Sequence, residues 1–162
     1  MSVLKSHRTE SKTEYVNTAN EIYVQTIEFL SRLSSRYARL VAEKVAALAS
    51  EVVDNAVEAN DIYPSNDTRK ELRERHLLEA RASLAALDLR LGRCYELMMR
   101  NPEGCFSKSN GDAIDSSKAR KKLEQMSQAL GELIDAERSK QTGVLKSNKG
   151  RKIRFDFMGV SL

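Results

Sequence analysis

Across residues 12–33, Tyr15, Ala19, Ile22, Phe29 and Leu33 recur with Val16, Tyr23, Ile27 and Leu30 at steps of three and four. This spacing predicts a first helix with a broad apolar face. Ser34-Ser35 supplies a break and an N-cap, after which Tyr37, Val41, Val45, Leu48, Val52, Ala56 and Ala59 carry a second helix to about Asn60. Turn formers around Pro64 separate it from a third helix opening at Asp67, where Thr68 and Glu71 suit a helix N-terminus. Leu77, Ala80, Leu84, Leu87, Leu91, Cys94 and Met98 then follow in near-heptad steps until Asn101-Pro102 and Gly104 stop the helix. The stretch 101–115 reads as an exposed, mobile loop. A fourth helix follows Ser116 or Ser117 through Ala119, Leu123, Met126, Leu130 and Leu133, with Gly143 as its C-cap.

Four amphipathic helices with mostly short links predict an all-α, antiparallel up-down-up-down four-helix bundle. The expected division is a flexible N-terminus over 1–11, the bundle over 12–141 and a basic C-terminal tail over 142–162. Composition agrees: 41% of the 162 residues are apolar and 31% charged, with seven glycines, two prolines and no tryptophan. That balance favours long helices over strands and turns.

One core does not account for every apolar position. On a helical wheel at roughly 100° per residue, Leu78, Ala82, Ala85 and Leu89 fall opposite the Leu77 to Met98 row. In helix two, Ala42, Ala46, Ala49, Val53 and Val57 form a small-residue stripe away from the Tyr37 to Ala59 face. Alanine is a good helix former that tolerates solvent. Leucine is different, since full burial is worth about 1.5–3 kcal/mol. A second face holding Ala46, Val53, Val57, Leu78, Ala82 and Leu89 therefore predicts a homo-oligomer.

Charge adds a polarity along the chain. The formal net charge is +4, yet 138–154 holds Arg138, Lys140, Lys146, Lys149, Arg151, Lys152 and Arg154 with no Asp or Glu. The rest of the chain is slightly acidic, an asymmetry that suggests contact with a polyanion. The alternative is a solvated, solubilising tail. Arg75, Arg93 and Arg100 share one azimuth beside the second stripe of helix three, either as a basic surface or as a solvated face paired with Glu71, Glu79 and Glu96. The candidate nucleic-acid contacts are thus Arg75, Arg93, Arg100, Lys146, Lys149, Arg151, Lys152 and Arg154.

Candidate chemistry is sparse. His7 and His76 belong to no metal-spaced cluster, and no Glu-x-x-His pair of the di-metal bundles occurs. No catalytic constellation, metal or cofactor is expected. Cys94 and Cys105 differ in setting and read as free thiols of a reducing compartment. The polar N-terminus lacks the apolar region of a signal peptide, and no run approaches a membrane span, so a cytoplasmic protein without membrane contact is expected.

Two stretches resemble a family of small bacterial four-helix-bundle proteins. In "SEVVDNAVEAN" the matching positions are Ser50, Asn55, Ala56 and Glu58; in "RHLLEARASLAALD" they are Arg75, Ala80, Ser83 and Leu84. The family includes proteins encoded in intervening sequences of large-subunit ribosomal RNA genes and the accessory variability determinant of diversity-generating retroelements. Ala59-Asn60 stands where the family commonly has Gly, and the basic extension lies outside the match. The resemblance implies a ring-like homo-oligomer, a pentamer, that binds RNA or DNA and a reverse transcriptase. Two functions follow: a non-enzymatic nucleic-acid-binding accessory protein, or a protein-protein scaffold with a solvated basic tail.

Overall fold

The computed structural model describes residues 13–106, 111 and 114–150. Helices form where the three-and-four periodicity places them: α1 spans Glu14–Leu30, α2 Ser35–Asp61, α3 Asp67–Met99 and α4 Ser116–Gly150. No strand occurs among the described residues. The start of α3 is fixed by Asn66, whose side-chain oxygen accepts the backbone N–H of Arg69 at 2.8 Å and so satisfies one otherwise unpaired donor of the first turn.

The four helices close around one core, α1 and α3 each packing between α2 and α4. Along α3 every heptad-spaced apolar residue from Leu77 to Met98 is buried, and all but Ala80 meet Ile22 and Phe29 of α1, Val45, Val52 and Ala56 of α2, and Leu123, Leu130 and Ile134 of α4 in one cluster. As α3 advances, its partners on α4 recede. Lys70 Nζ donates to the Lys149 carbonyl at 3.1 Å, Arg81 Nη1 to Thr142 Oγ1 at 2.8 Å, and Asp88 lies 3.6 Å from the Arg138 guanidinium.

The fold departs from the sequence expectation in three places. First, α4 does not end at Gly143 but runs to Gly150, burying Leu145 and Asn148 on the way. Asn148 Nδ2 donates to the Lys70 carbonyl at 3.2 Å, so the last turns of α4 are held by α3, which outweighs the helix-breaking tendency of one glycine. Second, the loop after α3 is partly structured: a 3-10 turn over Pro102–Cys105 buries Pro102 and Cys105. Phe106 follows with its ring 4.7 Å from the Arg32 guanidinium and 5.4 Å from Lys122 Nζ, which ties the turn to the end of α1 and the start of α4. Third, the small-residue stripe of α2 is largely taken into the core, Val57 alone of its five residues being exposed. Ala49 is fully buried, while Ala42, Ala46 and Val53 are half-buried against the core. The apolar arc of a bundle helix is wide enough to include such flanking positions.

Gly143 offers a test whose sign depends on where α4 ends. An added Cβ meets no atom within 4 Å, and Gly111 is the sole described glycine with positive φ. Gly143→Ala is therefore expected to stabilise the protein by roughly 0.5–1 kcal/mol in denaturant unfolding, as in a helix interior. Destabilisation would mean a left-handed cap. Leu145→Ala is expected to cost about 2 kcal/mol or more, against almost nothing if that turn were unpacked.

Candidate nucleic-acid interface

Continuing α4 past Gly143 converts part of the basic run into a helical surface. From Arg138 to Gly150 the helix carries Arg138, Lys140, Lys146 and Lys149 and no acid, and its periodicity distributes them over two flanks. Lys140 turns towards α1, its Nζ donating to Thr18 Oγ1 at 2.7 Å. Arg138 and Lys146 instead border an open groove of about 470 Å³ between α3 and α4, together with Arg81, Asp135, Ser139, Thr142 and Gly143. Arg81 is held along the groove wall by its bond to Thr142 Oγ1, and that hydroxyl donates to the Arg138 carbonyl at 2.9 Å.

The cations here have partners that a phosphate can displace. Arg138 lies 3.6 Å from Asp88 and 3.9 Å from Asp135, and Lys149 lies 3.5 Å from Glu74. All are surface pairs, a class whose net contribution is about 0–1 kcal/mol. Lys146 is exposed and makes no ion pair among the described residues. Three cations converge with a serine hydroxyl and a threonine hydroxyl on one groove, where a single carboxylate, Asp135, stands against them, a set that suits phosphate oxygens.

The sequence-predicted contacts divide. Lys146 and Lys149 lie on α4 at the groove and at its end beside Lys70. Arg75, Arg93 and Arg100 are exposed on the outward face of α3, roughly 100° around that helix from Arg81, and do not join the groove. Arg151, Lys152 and Arg154 lie outside the described residues. Arg81 was not among the predicted contacts, because a lone arginine on α3 has no basic neighbours in sequence; its neighbours come from α4. Of the predicted interface positions, Ala46 and Val53 are half-buried against the core, whereas Val57, Leu78, Ala82 and Leu89 are exposed, Leu78 at 49% and Leu89 at 61%.

Of the positions on which the family resemblance is placed, Asn55, Glu58 and Ser83 take part in a polar seam between α2 and α3 with His76 and Glu51. His76 Nδ1 lies 3.1 Å from Asn55 Oδ1 and 2.9 Å from Glu58, and Ser83 Oγ donates to Glu51 at 3.0 Å. Ala56, Ala80 and Leu84 are fully buried beside them. These residues hold two helices in register, and none faces the groove.

A second feature escaped hydrophobic patterning because it is polar. Glu137, Gln141 and Asn148 occupy core-facing positions of α4, continuing the row of Leu130 and Ile134. Both Glu137 oxygens, both Gln141 amide atoms and the Tyr15 hydroxyl find no hydrogen-bond partner among the described residues. Burial pushes Glu137 up to about 8, with nearby Lys140 pulling the other way, so its carboxyl is neutral over most of the acidic and neutral range. Burial also raises the Tyr15 hydroxyl, opposed by Arg73. Cys94 and Cys105 are buried free cysteines whose thiols are raised by desolvation, which disfavours the reactive thiolate. Among the described residues no group of three or more His, Cys, Asp or Glu is placed to hold a metal ion, and no helix is long and apolar enough to cross a membrane.

Glu137 makes stability pH-dependent in the direction opposite to an ordinary salt-bridged carboxylate. Its folded pKa lies above the unfolded value near 4.5, so its contribution is fullest below that value and is lost as pH rises towards 8. Glu137→Gln should flatten this fall. The variant is expected to gain roughly 3–5 kcal/mol over the parent between pH 4.5 and 8, measured by urea unfolding across that range; parallel profiles would exclude a buried neutral acid.

No protein-family profile matches the chain, and no curated protein and no solved structure matches it either. The likeness to the intervening-sequence and retroelement bundles thus rests on the α2 and α3 positions alone.

Proposed function

We propose that this chain is a non-enzymatic nucleic-acid-binding accessory protein: an antiparallel up-down-up-down bundle that self-associates and takes RNA or DNA through phosphate contacts. The observation that carries this reading is the groove in which Arg81 of α3 meets Arg138 and Lys146 of α4, at the head of a basic run that continues through Arg151, Lys152 and Arg154. The receding α3–α4 contacts support the antiparallel order. A cytoplasmic location fits buried, unpaired cysteines. Presentation of nucleic acid to a reverse transcriptase is the form of this function that the family resemblance favours.

A scaffold without a nucleic-acid role has one observation on its side: Arg138 and Lys149 already face carboxylates. Titration of mixed-sequence RNA and DNA against salt separates the two. Binding should weaken steeply as salt rises, with log K falling linearly against log salt. The double substitution Arg81→Ala and Lys146→Ala should weaken binding to all sequences alike and lower the slope by about 1–2. No binding at low salt, or binding indifferent to salt, would leave the scaffold.

A further inference from the structure

The outward face of α3 is an exposed helix surface with a charge order of its own. Its exposed residues follow a step of three or four from Glu71 through Arg75, Leu78, Ala82, Ala85, Leu89 and Arg93 to Glu96 and Arg100, the near-heptad period that lets two helices pack along a shared stripe. Alanines at the centre permit close approach, and Leu78 and Leu89 flank them as large exposed apolar groups. The amino-terminal half of this face exposes Asp67, Glu71 and Glu79 against one arginine, Arg75; the carboxy-terminal half exposes Arg90, Arg93 and Arg100 against one acid, Glu96. The two halves are therefore of opposite sign.

From this order we infer that two copies of the chain pair α3 against α3 in antiparallel alignment, centred between Ala82 and Ala85. Only that direction sets unlike halves together. Leu78 meets Leu89 of the second copy, Ala82 meets Ala85 and Asp67 meets Arg100, while Glu71, set opposite Glu96, reaches Arg100 one turn further on, as Arg75 reaches Glu96, and Glu79 lies within a turn or so of Arg93. A twofold axis makes each contact occur twice and closes the assembly at two chains, whereas a parallel pairing would stack Glu71 on Glu71 and Arg93 on Arg93. The closed pair takes the place of the pentameric ring that the family resemblance implies. This inference rests on the self-association proposed above, not on nucleic-acid binding.

The test uses the full chain. Light-scattering mass at tens of micromolar should give two chains, and Leu78→Glu with Leu89→Glu should give one chain of unchanged helical content. Asp67→Arg should weaken pairing at least tenfold, and adding Arg100→Glu to the same chain should restore it. Orientation is read by mixing a Leu78→Cys chain with a Leu89→Cys chain under mild oxidation, the native cysteines being buried. Disulfides should join unlike chains. Like-to-like disulfides would overturn the antiparallel pairing, as would an oligomer indifferent to the leucine substitutions, which leaves self-association intact. A monomer would overturn both.

Discussion

The α3 row in which Leu77, Ala80, Leu84, Leu87, Leu91, Cys94 and Met98 alternate by three and four is the constraint on which the rest depends. All seven are buried, and a helix can present only one such row to a core. Once it faces inwards, the side towards α2 is committed to the Asn55–His76 and Glu51–Ser83 contacts, and the side towards α4 to Lys70, Arg81 and Asp88. What remains is the outward arc with Leu78 and Leu89. Their exposure follows from the burial of the residues opposite, and no rotation of α3 hides both.

Much of this was legible in sequence because it is written in apolar side chains at helical spacing. The helix boundaries, the α3 row and the outward leucines need only the 3.6-residue period and the turn chemistry of Pro64 and Pro102. The end of α4 was not legible, since Gly143 looks the same in a helix interior as at a C-cap; the difference lies in Leu145, Asn148 and the Lys70 carbonyl, which come from packing. Glu137 and Gln141 sit on the core azimuth of α4, but a hydrophobic pattern passes over polar residues. A stricter reading by position, not by residue type, would have extended the Leu123, Leu130, Ile134 row through Glu137, Gln141, Leu145 and Asn148 at steps of three and four. The α3–α4 groove needed the fold itself, because Arg81 and Arg138 become neighbours only through the contact of two helices.

The buried acid and the basic groove are electrostatically connected. Glu137 is the last acidic residue before 138–154 and would, if ionised, set a negative charge one residue from Arg138 and three from Lys140. Its burial keeps it protonated up to about pH 8, so below that pH it does not offset the cations of the run. The same desolvation that costs the fold stability at high pH keeps a negative charge from standing beside Arg138 and Lys140 at neutral pH.

Direction of assembly matters for the groove. The α3–α4 groove lies to one side of the outward face of α3, roughly 90° around the helix. A twofold axis perpendicular to two antiparallel α3 helices keeps that side common to both copies, so the two grooves open in the same direction. A twofold parallel to the helices would send them to opposite sides. In the proposed antiparallel pair the two grooves would form one basic surface, where a nucleic-acid strand held by the first would meet the second at raised effective concentration. The two proposals are then linked: a phosphate contact modest in each copy would become appreciable when both act on one strand, and the sign reversal along α3, acidic at Glu71 and basic at Arg100, would select the arrangement in which they do.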